Sequence, residues 1–198
     1  MLLFLLQEYS AIYQQSWNIT AAHIHPMFPG WTTTPLKPLL SEHNIPHTIV
    51  KQNIYRRIKD VKNKCFFCSR ERRKRLLDLA GKLDTFNIAL AHHKEDVVET
   101  LLLNIFYTGR MSTLMPKQPI VHGRFYFVRP IYYLDKETIL GIARALGLKS
   151  HANVCPYYKN SRRETMRGML SKIRKKNPDI YTNIFGSIFN TKKAYMPS

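Results

Sequence analysis

Acidic residues are scarce in this 198-residue chain: 13 Asp and Glu stand against 31 Lys and Arg, a formal charge of +18. That imbalance raises a positive potential over the surface and favours a polyanionic partner, nucleic acid first, without conferring sequence specificity. Long apolar runs are missing too, so no segment is predicted to span a bilayer. The basic runs are broken by polar and acidic residues, which argues against an amphipathic membrane helix. The apolar opening Met1 to Leu6 lacks a basic flank and runs into Gln7 and Glu8, so a secretory signal is not expected. Cysteine is limited to three residues. An odd count without export argues against a disulfide framework and for a reducing, cytoplasmic compartment. Internal repeats and low-complexity segments are absent. The length suits one core with a helical tail.

The few cysteines are placed informatively. Cys65 and Cys68 form Cys-Phe-Phe-Cys, and Cys155 stands alone far downstream. A Cys-x-x-Cys pair lets two thiolates reach one metal centre, and a third cysteine can close on it if the fold brings it there. Three thiolates leave one position open. On zinc a histidine or water fills it; on a four-iron cluster it leaves one iron free for substrate or sulfide. Spacing alone does not choose between these.

Periodicity predicts strands alternating with helices. Helices are expected over Leu2 to Gln14, Ser69 to Leu83, Asp96 to Tyr107, Lys136 to Leu146, Arg162 to Lys175 and Asp179 to Asn190. A Pro/Gly-rich loop, Pro26 to Pro38, feeds a short helix through Leu40. Strands are expected over Ile19 to His25, His47 to Gln52, Phe86 to Ala91 and Phe125 to Val128. This alternation implies an α/β fold with a doubly wound parallel sheet whose ligands sit at the strands' carboxyl ends. Ala91-His92-His93-Lys94-Glu95-Asp96 lies at such an end and opens a helix. Helix amides there attract phosphate, and the two carboxylates are candidate magnesium ligands.

The run Cys65-Phe-Phe-Cys-Ser-Arg-Glu-Arg-Arg, followed by Ala91-His-His-Lys-Glu-Asp-Val-Val-Glu-Thr, Asn104, Gly109, Met115-Pro116, Arg129-Pro130 and Cys155, resembles the PP-loop ATPases that thiolate tRNA, in particular the 2-thiocytidine-forming branch. The resemblance implies that Cys65, Cys68 and Cys155 are the ligands of a [4Fe-4S] cluster and that His92, His93 and Asp96 lie near ATP and its Mg2+. It implies adenylation of a tRNA cytidine and replacement of its oxygen by sulfur, with a cysteine desulfurase as a type of sulfur donor; a homodimer is left open. On this reading Arg70, Arg72, Arg73 and Lys74, and Arg162, Arg163 and Arg167, bring tRNA phosphates to the cysteines. Residues 1–150 then form the PP-loop ATPase-like domain, and residues 151–198 a helical segment completing the cluster and the tRNA surface.

The chain departs from that pattern in having Ala91 for Gly and Glu95-Asp96 for Asp-Asp, and in lacking the Ser-Gly-Gly-x-Asp-Ser phosphate loop. The expectation is that the first strand and its loop are missing ahead of the helix beginning at Leu2. Two alternatives stand: a lysidine-forming PP-loop enzyme, which needs no cluster, and a zinc-stabilised RNA-binding module with His151 or another histidine as fourth ligand.

Overall fold

The computed structural model describes residues 1–149 and 154–195. His151, the expected fourth ligand of the zinc alternative, lies outside them. The chain opens with α1 (Leu2–Ile12), then β1 (Ala21–His25), α2 (Leu36–Glu42), β2 (His47–Lys51) and the short α3 (Ile54–Ile58). A long α4 (Lys64–Lys82) leads into β3 (Asn87–Ala89) and α5 (Lys94–Thr108). A hairpin of β4 (Lys117–Ile120) and β5 (Phe125–Val128) follows, then α6 (Lys136–Ala145), α7 (Arg162–Arg174) and α8 (Ile180–Ser187).

The parallel α/β pattern is present, with a different ladder from the one expected. β1 pairs in parallel with β2, Ala21 opposite His47 through His25 opposite Lys51. β3 pairs in parallel with β5, and β4 adds antiparallel to β5, giving the order β3-β5-β4. Among the described residues the hydrogen-bonded ladder is interrupted between β1 and β3, and α4 packs on both strands.

Two cores hold the elements. Ile24 after β1's entry, Phe28, Ile54 and Ile58 form one, with Phe67, Cys68, Leu76, Cys155 and Tyr157 packed against it. Val97 and Val98 of α5, Tyr132, Leu170 of α7 and Phe185 of α8 form the other. The C-terminal helices therefore pack on α5 itself. Tyr132 also donates its hydroxyl to Leu114 O at 3.0 Å, so its buried polar end is satisfied.

Some boundaries differ for local reasons. α4 begins at Lys64, so the cysteines stand on the helix rather than ahead of it. α3 spans one turn and a half, too short to carry a periodic signal. β4 contains Pro119, which masks an edge strand. α5 ends as expected at Gly109, whose φ of 65° is the left-handed cap that glycine adopts without a side-chain clash.

Candidate functional site

Cys65 and Cys68 lie three residues apart near the start of α4, so both sulfurs sit on one helical face. Cys65 is exposed; Cys68 and Cys155 are half-buried. Burial pushes both the Cys65 and Cys68 thiols up, and the charge of Cys155 acts on each in the same direction. The fold thus brings the distant Cys155 within electrostatic reach of the pair. Arg72 opposes the rise at Cys68, and Arg163 opposes it at Cys65. Among the described residues no three His, Cys, Asp or Glu side chains converge tightly enough for a single metal ion.

The second half of the site is the start of α5. The His93 amide donates to Asp96 Oδ2 at 3.2 Å, closing the first turn. The His93 ring contacts Glu95 Oε2 at 2.8 Å, and both Glu95 oxygens accept the Lys136 amide at 3.0 Å. Burial alone would lower the His93 pKa, but its hydrogen bond to Glu95 and the charges of Asp96, Glu95 and Glu99 raise it. Burial alone would raise Glu95, yet the bonds from His93 and Lys136 hold it below the usual carboxylate range. His92 behaves oppositely: burial first, then Arg129 and Arg163, push it down to about 4 against the pull of Asp96.

These contacts bear on the expectations for this segment. Glu95 and Asp96 both accept hydrogen bonds from within the protein. The Lys94 amide, one of the donors expected to face phosphate, donates to Leu134 O at 2.9 Å.

The arginines of α7 have partners on α5. Arg163 Nη1 donates to Asp96 Oδ1 at 2.9 Å and to Glu99 Oε2 at 3.3 Å. Arg167 Nε donates to Glu99 Oε1 at 2.6 Å, and its Nη1 reaches the Tyr158 hydroxyl at 3.1 Å. Both neutralise acids, because Glu99 is only 2 % exposed and a buried carboxylate needs a counter-charge. Glu99 still titrates high: burial outweighs the arginines. The sequence did hold a signal for this lattice, acids at i and i+3 on α5 facing arginines at i and i+4 on α7.

The other residues expected at tRNA phosphate face outward. Arg70, Arg72, Arg73 and Lys74 are exposed on α4, with the Arg70 guanidinium 4.8 Å from the Phe67 ring centroid. Exposed Arg162 lies 4.2 Å from the Tyr107 ring centroid. Arg163 joins the two halves, since its charge acts on Cys65 and His92 while its guanidinium bonds Asp96.

An interrupted parallel α/β sheet, a histidine-acid helix start beyond a short parallel strand whose Asn87 and Ala89 are exposed, and a Cys-x-x-Cys helix with a third cysteine in electrostatic reach define the class. The chain belongs to the PP-loop family, whose domain model matches residues 1–172. Its curated relatives include the tRNA-cytidine(32) 2-sulfurtransferase of Nitrosospira multiformis, 31% identical over 98% of this chain and 67% of that protein. The protein of the same name from Methylobacillus flagellatus is 29% identical over 99% of this chain and 65% of its own length. The chain thus spans about two thirds of the length of these relatives. Among solved structures, the U34-tRNA thiolase NcsA from Methanococcus maripaludis, determined with its [4Fe-4S] cluster, shares the fold. It matches with a TM-score of 0.74 at 20% identity, over 99% of this chain and 72% of that one. No helix among the described residues is long and apolar enough to cross a membrane.

Proposed function

We propose that this chain is an ATP-dependent tRNA sulfurtransferase that forms 2-thiocytidine. The observation that carries the reading is the convergence of the Cys65, Cys68 and Cys155 thiols with the start of α5, linked through Arg163. Sulfur chemistry and activation of the base must occur on the same atom of the substrate, so the two sites have to adjoin. Cys65, Cys68 and Cys155 hold a [4Fe-4S] cluster, which when bound supplies an open iron position for sulfur delivery. The raised pKa values of Cys65 and Cys68 mean that cluster loading releases protons from them, and the amides at the start of α4 help by favouring thiolate. His92, His93 and Asp96 border the nucleotide, whose adenylation of the cytidine turns a poor oxygen leaving group into a good one. Mg2+ accompanies ATP at this site.

Arg70, Arg72, Arg73, Lys74 and Arg162 contact tRNA phosphates, while Arg163 and Arg167 order the acids beneath them. Residues 151–198 complete both the cluster and this surface. The sulfur donor is of the cysteine desulfurase type, the compartment is the cytoplasm, and a homodimer is the assembly to test for.

Anaerobic purification tests the cofactor directly. The protein is expected to be brown with broad absorption near about 400 nm. A colourless, zinc-loaded preparation that leaves tRNA unmodified would overturn the reading. The basic surface has its own measurement. Neutralising Arg72 and Arg73 together is expected to weaken tRNA binding and reduce the slope of log K against log salt by about one to two. An unchanged slope would make both residues a solvated helix face.

A further inference from the structure

Arg129 follows β5 and His92 follows β3, so the two side chains meet at the carboxyl edge of a parallel strand pair. Arg129 is 4 % exposed. Its Nη1 donates to Met115 O, its Nη2 to Gln118 Oε1 at 3.1 Å, and its Nε to His92 Nδ1 at 3.2 Å. Every one of these acceptors is neutral, and among the described residues no carboxylate lies within ion-pair distance of Arg129. A buried cation without a counter-charge is costly, and it is retained where an anion is to be met.

A guanidinium has only N–H donors, so the His92 Nδ1 facing it must present a lone pair. In a neutral imidazole the proton then sits on Nε2. Resting on the proposed nucleotide site, we infer that Arg129 is a positioning residue that locks His92 as a neutral Nε2–H donor for a phosphate oxyanion, rather than as a general base. The Arg129 charge polarises the ring and strengthens that donor without itself reaching the ligand. The other charged groups acting on His92 are Asp96, His93 and Arg163. The depressed pKa of His92 agrees with a ring that stays neutral.

The test is a long-range 1H–15N correlation of the free, full chain labelled at histidine. His92 is expected to show a single Nε2–H tautomer at neutral pH. In Arg129→Met, which keeps an apolar stem and loses all donors, the ring should become a mixture of tautomers. Inorganic pyrophosphate added to the unsubstituted protein should move the His92 Nε2–H proton resonance downfield. An Nδ1–H tautomer in the unsubstituted protein overturns the inference even if Arg129→Met fails to fold, and so does an Nε2–H resonance unmoved by pyrophosphate. The measurement needs neither cluster nor tRNA, so a failure of the thiolation reading is seen separately in the iron content and tRNA product.

Discussion

Replacing any one of Cys65, Cys68 or Cys155 by Ala is expected to abolish both iron binding and tRNA thiolation while leaving tRNA binding largely intact. Three thiolates are the minimum set here, since the helical pair and the single distant cysteine offer no spare donor. Loss of one ligand leaves the cluster held by two thiolates and open to solvent. Stability separates this from unfolding. Cys65 is exposed, so Cys65→Ala should leave the urea midpoint of the iron-free chain where it is while iron binding is lost. Cys68 packs beside Ile24, Phe28, Ile54 and Ile58, so Cys68→Ala removes about 1 kcal/mol of packing at most. Iron content by chemical assay and thiolated nucleoside by mass spectrometry are the readouts. Full iron in the Cys155→Ala variant would remove Cys155 from the ligand set.

The largest stability effect is expected at the acid-arginine lattice. The double variant Arg163→Ala/Arg167→Ala leaves the Glu99 carboxylate buried without a cation, a loss of about 3–5 kcal/mol at neutral pH. Adding Glu99→Gln to that background should restore part of it, because the uncompensated charge is then gone. The pH dependence has a definite sign. Glu99 has its folded pKa raised, by burial against the opposing arginines. A raised acid contributes stability that is present below its unfolded pKa and lost as pH rises through the folded one. The deficit of the double variant should therefore shrink on acidification, as Glu99 takes up a proton. Urea unfolding across that range checks it; a deficit independent of pH would place the cost in packing rather than charge.

These effects differ in how readable they are along the chain. The cysteines, the histidine-acid segment and the basic run after Cys68 stand in short stretches whose chemistry is local. The helices of α5 and α6 are likewise written in their own capping signals, Gly109 at one end and Asp135 accepting the Thr138 amide at the other. Arg163 and Arg167 read as solvent-facing cations because an amphipathic helix shows a basic face whether or not another helix covers it. Only the packing of α7 on α5 turned that face toward Asp96 and Glu99. Arg129 was visible as Arg-Pro and nothing more, since burial of a single polar side chain has no sequence period.

By itself the sequence determined the α/β alternation, the polyanionic partner class and the identity of the chemically able residues, since composition and periodicity are set by nearest neighbours. The tertiary structure decided which charges are spent internally and which are offered, and how the strands pair. It also set the approach of Cys155 to a pair formed about ninety positions earlier. Those outcomes depend on contacts between segments remote in the chain, where burial and a counter-charge, rather than residue type, fix what a side chain does.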